Sequence, residues 1–123
     1  MKFSPLDPHG GPVINSCDPG VVVIDGVPHR HSLIVLPNRI IRDWSARAFA
    51  DLATQDFELL AQLGADIILL GTGPIQRFPS PALYTAIIQQ GIGMEVMSTA
   101  SACRTFNLLM SEGRQVAAAL LLN

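Results

Sequence analysis

Asp66-Ile67-Ile68-Leu69-Leu70-Gly71-Thr72-Gly73 is an apolar run that empties into a glycine turn. A strand covered by protein on both faces has this composition, because neither face carries the polar alternation of a half-solvated strand. Downstream, Ser80-Pro81 reads as an N-cap followed by proline at the first helical position. Leu83, Tyr84, Ile87 and Ile88 then recur at helical spacing, and Gly91 stops the helix. Gly93-Met94-Glu95-Val96-Met97 is the next strand. Thr99 is predicted to cap a third helix that turns Ala102, Cys103, Phe106, Leu109 and Met110 inward and ends at Gly113. Val116 to Leu122 closes the chain as a strand. Strand, helix, strand, helix, strand with connections this short implies right-handed parallel crossovers.

Working back towards the start, Thr54 reads as the cap of a helix running to about Leu63, with Phe57, Leu59, Leu60 and Ala61 inward and Gly64 as its stop. Val21-Val22-Val23-Ile24 meets Asp25-Gly26, a strong two-residue hairpin signal. Val27 to Leu36 reads as one return strand, and Pro28 places its end at a sheet edge, since proline donates no ladder hydrogen bond. Pro37-Asn38 turns the chain into a further short strand, Arg39 to Trp44. Pro5, Pro8, Gly10, Gly11, Pro12, Pro19 and Gly20 break up the first twenty positions, so residues 1–13 are expected to form an irregular N-terminal arm. The expectation is a single α/β domain over residues 1–123: an N-terminal antiparallel β unit packed with a C-terminal β-α-β-α-β parallel unit, helices on the flank.

Composition narrows the function. The chain has 123 residues, 49% apolar and 15% charged, with a net charge of −2. That balance points to a very complete core or to an apolar surface that a protein partner covers. The eight basic residues, all but Lys2 arginines, are scattered, so nucleic acid is not expected as a partner. No run approaches the roughly 18 to 20 apolar residues of a membrane-spanning helix, and the segment after Met1 lacks the apolar core of a secretory signal. Cys17 and Cys103 form no C-x-x-C pattern and read as reduced thiols of a cytoplasmic protein.

No residue set predicts catalysis, a cofactor or a metal. Gly71-Thr72-Gly73 invites a phosphate-loop reading, but Gln76 stands where a dinucleotide fold needs its third glycine and Pro74 removes a backbone N–H. No lysine follows, which excludes a Walker loop. A weaker anion or ligand pocket remains, built from Gly71, Thr72, Gly73, Arg77, Thr99 and Asn107 with the helix start at Ser80. Asn107 is expected to tie the third helix to the glycine turn. Cys103, in the first turns of that helix, is a candidate nucleophile, but no histidine follows residue 31 to serve as its base, so a packing role is favoured. His29 and His31 alternate on a strand and with His9 or Cys17 could hold a metal; solvated surface is the plainer reading. Asp25, Asp43, Asp51, Asp56, Glu58, Asp66, Glu95 and Glu112 show no pairing for acid–base work.

The strand ending in Gly71-Thr72-Gly73, then Gly91-Ile92-Gly93-Met94-Glu95-Val96-Met97, then Thr99 through Ala102-Cys103-Arg104-Thr105-Phe106-Asn107 to Glu112-Gly113-Arg114 carry a resemblance. Val22-Val23-Ile24-Asp25-Gly26 and Trp44 extend it, over residues 14 to 122. Together they resemble a small family of unknown biochemical function that includes the mitochondrial complex I assembly factor 3, an adipogenesis-associated relative and many short bacterial proteins. The resemblance implies a compact α/β domain with two packed β units, and an assembly or scaffolding role for the mitochondrial members. It carries over no catalytic residue and no cofactor. Lacking a mitochondrial presequence, the chain looks like a stand-alone bacterial version. Two functions follow as expectations. The first is a non-enzymatic interaction module, with a protein partner or a weak homo-oligomer, that assists assembly of a membrane-associated complex. The alternative is a binder of an anionic metabolite, or a weak enzyme, with its pocket beside Gly71-Thr72-Gly73.

Overall fold

The computed structural model describes residues 11–123. Most of the expected N-terminal arm, and His9 with it, lies outside the described residues. Two short strands, β1 (Ile14–Asp18) and β2 (Val21–Ile24), pair antiparallel, and β3 (Val27–His29) adds to β2 at the edge. The turn between β2 and β3 places Asp25 at φ 49° and Gly26 at φ 80°, the two positive values that a type I′ hairpin needs. Pro28 sits on the edge strand as its missing N–H requires.

The second sheet is the centre of the molecule. Its order is β5 (Arg39–Ile41), β4 (Leu33–Leu36), β8 (Val116–Leu121), β6 (Ile67–Thr72), β7 (Gly93–Met97). β6 runs parallel to β7 and β8, from Ile67 opposite Gly93 and Val116, as the crossover reading anticipated. β4 lies antiparallel to β8, pairing Leu33 with Leu120 and Val35 with Ala118. The antiparallel and parallel units therefore share one mixed sheet, with the three-stranded sheet packed on it.

This corrects the single return strand over Val27 to Leu36. It divides at Arg30-His31-Ser32, because the buried Ser32 hydroxyl turns away from the ladder to the carbonyl of Ala46. The two halves also have different surfaces to satisfy. β3 is largely exposed, whereas all four residues of β4 are buried and need cover on both faces. The strand expected to reach Trp44 likewise ends at Ile41; Trp44 is buried beyond the ladder.

Side chains alternate across the central sheet with period two. Leu33, Val35, Leu69, Val116, Ala118 and Leu120 face α3 (Thr99–Ser111) and the small sheet, where Ile14, Val22, Ile24, Phe106 and Met110 complete the core. Ile34, Leu36, Ile68, Leu70, Ala117, Ala119 and Leu121 face the other way, onto Trp44, Leu52, α1 (Thr54–Ala61) and Ile87 of α2 (Thr85–Gln89). Phe57 of α1 meets Tyr84 with ring centroids 5.9 Å apart. The result is three layers with two buried interfaces, which accounts for the high apolar content.

Helix starts shift by a residue or more from expectation. α1 begins at Thr54, with Ala53 as its cap. Ala53 has no side-chain acceptor, so Asp56 reaches back to its N–H at 2.8 Å and also receives the Ser45 hydroxyl at 2.6 Å. The same helix stops at Ala61, short of Leu63. Ser80-Pro81 opens a 3-10 turn over Pro81–Tyr84 before α2 begins. Ser98, not Thr99, caps α3, accepting from the Ser101 N–H at 3.3 Å.

Asn107 likewise does other work than expected. Its buried carboxamide does not reach the glycine turn; it accepts from Ile14 N–H at 3.1 Å and donates to Ile14 C=O at 2.8 Å. The side chain thereby acts as one strand residue on the outer side of β1, fastening the small sheet to α3. Asn107→Ala strands both Ile14 groups and is expected to lower unfolding free energy by about 2–4 kcal/mol. Urea denaturation checks it; a loss below about 1 kcal/mol would show that the tie is dispensable.

Candidate functional site

The carboxyl ends of β6 and β8 meet the start of α3, and one hydroxyl organises the junction. Thr99 Oγ1 accepts from the Gly73 N–H at 2.8 Å and donates to the Leu121 carbonyl, while Thr99 N–H donates to Gly73 C=O at 2.9 Å. Thr99 is thereby bonded to both β8 and the end of β6, which explains why its hydroxyl is unavailable as a cap. Gly71 lets the helix come this close: a Cβ there would stand 2.9 Å from Thr99 Cα and 3.2 Å from Leu120 Cδ2. Gly73 is constrained twice over, by φ +90° and by the Asn123 carbonyl 2.8 Å from where its Cβ would be.

Beside this junction lies a cleft of about 280 Å³, walled by Cys17, Asp18 and Pro19 of the β1–β2 corner, Gly73-Pro74, Ser98-Thr99-Ala100 and Leu122. Of the six residues expected around a pocket here, Gly73 and Thr99 line it. Gly71 is packed under the helix start. Thr72 is buried and braces its own loop, its hydroxyl accepting from Arg77 N–H at 3.0 Å and donating to Ile75 C=O at 2.7 Å. Arg77 is exposed, its guanidinium 5.9 Å from the centre of the Phe49 ring. Asn107 sits away on the Ile14 tie.

Cys17 is the residue that sequence reasoning underrated. It is 7% exposed at the cleft wall, and Cys103, fully buried on α3, lies against it. A hydrogen bond from the Cys103 thiol lowers the Cys17 pKa below that of an ordinary thiol, with burial and Asp18 opposing. The same hydrogen bond, reinforced by burial, raises Cys103 well above it. Positions 86 residues apart in sequence carry no mark of this contact; it exists because α3 crosses the small sheet.

The histidine reading stays divided. His31 Nδ1 lies 2.7 Å from the Arg47 guanidinium, and among the described residues no three His, Cys, Asp or Glu side chains gather into a metal site. His29 is held below its usual pKa by burial and by Arg42.

A second concavity opens along the edge strand β7. Phe78, Tyr84, Ile87, Ile88, Ile92 and Met94 line it, with Gln76 and Glu95 on its rim. Phe78 is 72% exposed, Ile88 59% and the neighbouring Ile75 56%. Gln76 pins the loop to the strand, donating to Val96 C=O at 2.8 Å. Ile87 is buried and Ile88, next to it on α2, is exposed; helical spacing alone does not separate the two.

Residues 14–121 match a family described as a protein of unknown function, DUF498/DUF598. The chain is 35% identical over 89 residues to NADH dehydrogenase [ubiquinone] 1 alpha subcomplex assembly factor 3 of Bos taurus, covering 71% of this chain and 48% of that protein. It thus spans about half the length of the assembly factor it matches. An uncharacterized protein of Rhodobacter capsulatus is 38% identical over 112 residues, covering 88% of this chain and 82% of that one. In three dimensions the chain is similar to a crystal structure of a Bordetella parapertussis protein, with a TM-score of 0.87 and 28% identity, over 95% of this chain and 100% of that one.

The Thr99 junction yields a sharp expectation. Thr99→Val keeps the volume but strands the buried Gly73 N–H and Leu121 C=O, and should cost about 2–4 kcal/mol of unfolding free energy. Thr99→Ser keeps the hydroxyl and should lose less than half as much. A larger loss for Thr99→Ser than for Thr99→Val in chemical denaturation would mean that packing of the methyl group, not the hydrogen bonds, holds the junction.

Proposed function

The chain belongs to the DUF498/DUF598 family, and from that premise we propose that it is a non-enzymatic interaction module that assists assembly of a membrane-associated complex. One observation carries the reading. Phe78, Ile75 and Ile88 stand in solvent around a groove on an edge strand, where burial in a protein partner would remove a large apolar area from water. Among the described residues nothing covers this margin, while both faces of the central sheet are closed. Glu95 and Gln76 at the rim would fix the register of an apolar partner segment by polar contacts. The names of the assembly-factor relatives support a part in building a complex. Among the described residues no helix is long and apolar enough to cross a membrane. The proposed setting is the cytoplasm, as the two reduced thiols suggest.

A second reading is a small-molecule site at the cleft beside Gly73. The cleft sits at the carboxyl ends of parallel strands, where open α/β sheets collect ligands, and the start of α3 would favour an anion there. The Asp18 carboxylate on its wall works against one. Inorganic phosphate and nucleotides in a thermal-shift titration decide it; an unchanged melting temperature removes this reading.

For the interaction module, the test is capture from the native cell with the tagged protein after crosslinking. The wild type should recover a defined protein partner, and Phe78→Asp with Ile88→Asp should reduce recovery to background. Both side chains are exposed, so the unfolding free energy should stay within about 0.5 kcal/mol of wild type. Recovery as a free monomer under several growth conditions overturns the proposal. A dimer in gel filtration that the double variant splits would assign the groove to self-association instead.

A further inference from the structure

The cleft beside Gly73 holds a second kind of chemistry, independent of the apolar groove. Cys17 and Cys103 come from β1 and α3, touch each other within the core, and are not disulfide-bonded. Only Cys17 lines the cleft; Cys103 is fully buried behind it. A solvent-reached thiol with a second thiol directly behind it is the arrangement of an attacking and a resolving cysteine. The remaining walls are mainly apolar (Pro19, Pro74, Ala100 and Leu122) around a space of about 280 Å³, the size for a small reagent.

We propose that Cys17 is an oxidation site for small hydroperoxides and that Cys103 resolves it as a reversible intramolecular disulfide. The Cys17 thiolate attacks the terminal oxygen of the hydroperoxide, the O–O bond breaks, and the departing alkoxide or hydroxide takes up a proton. Cys17 is left as the sulfenic acid. The Cys103 sulfur then attacks the Cys17 sulfur, the S–O bond breaks, and the hydroxyl leaves as water with the proton from Cys103. Two thiols are oxidised by two electrons and one peroxide bond is reduced. A dithiol reductant reverses the disulfide by exchange.

The electrostatic setting supports this order of events. The Cys103 hydrogen bond favours the Cys17 thiolate, with Asp18 and burial opposing it. Cys103 is raised by that same bond and by burial, with Arg104 opposing, which favours its thiol form beside the Cys17 thiolate. The disulfide would join the small sheet covalently to α3, alongside the Asn107 tie to Ile14.

Hydrogen peroxide at stoichiometric and tenfold excess, followed by intact mass and non-reducing peptide mapping, tests the proposal on the wild-type protein. The expected result is a mass lower by one hydrogen molecule, a Cys17–Cys103 crosslinked peptide, and reversal by dithiothreitol. Cys103→Ser should instead accumulate a dimedone-trapped adduct on Cys17, and Cys17→Ser should leave Cys103 unmodified. Should either variant fail to fold, alkylation of the wild type by iodoacetamide supplies a readout without mutation. Cys17 should alkylate at least tenfold faster than Cys103, with a pH midpoint below that of a free cysteine peptide. The proposal is overturned if peroxide leaves both thiols intact, if Cys17 goes to the sulfinic acid without the crosslink, or if Cys103 alkylates first.

Discussion

Everything in this fold converges on the hydroxyl of Thr99. It accepts from Gly73 at the end of β6 and donates to Leu121 at the end of β8, while its own N–H returns to Gly73. These groups are buried, where each would cost about 1–3 kcal/mol if left without a partner. One side chain thus sets how far α3 stands from the central sheet, and the Cβ-less Gly71 makes that distance sterically possible. The cleft, the contact between Cys17 and Cys103, and the docking of the small sheet all depend on that spacing.

The central sheet is buried on both faces, and its two cores are served by different parts of the chain. α3 and the small sheet cover one face; α1, Trp44 and Ile87 cover the other. The alanines of β8 keep the middle strand thin, so that helices can approach from either side. Both faces are spent on the protein's own core; Ile75, Phe78 and Ile88 stand exposed at the margin beside β7, and the thiol pair lies at the junction of β1 with α3. The margin offers contact to another chain, whereas the junction offers chemistry to a small reagent. Neither demands the other.

Polar side chains here serve geometry wherever they are buried. Asp56 stands in for the capping group that Ala53 lacks, and Ser32 turns the chain from one sheet into the next. Thr72 folds its loop onto itself, so that Gln76 and Phe78 are presented along the edge strand. Thr72, Thr99 and Asn107 look like ligand groups in the sequence, because threonine and asparagine near glycine are also what anion sites use. What separates the two uses is whether a backbone partner lies within hydrogen-bond reach. That is a property of distant segments.

The run from Ile67 to Leu70 declared a doubly covered strand on its own, since four consecutive apolar side chains must point both ways. The parallel crossovers, the Asp25-Gly26 hairpin and the edge position of Pro28 were equally legible, because each follows from steric or hydrogen-bonding limits within a few residues. The division of Val27 to Leu36 between two sheets was not, since it turns on Ser32 reaching the carbonyl of Ala46. Asn107 meeting Ile14, and Cys17 meeting Cys103, were invisible for the same reason. Local periodicity records which way a side chain points, but only the packing of elements far apart in the chain decides what stands opposite it.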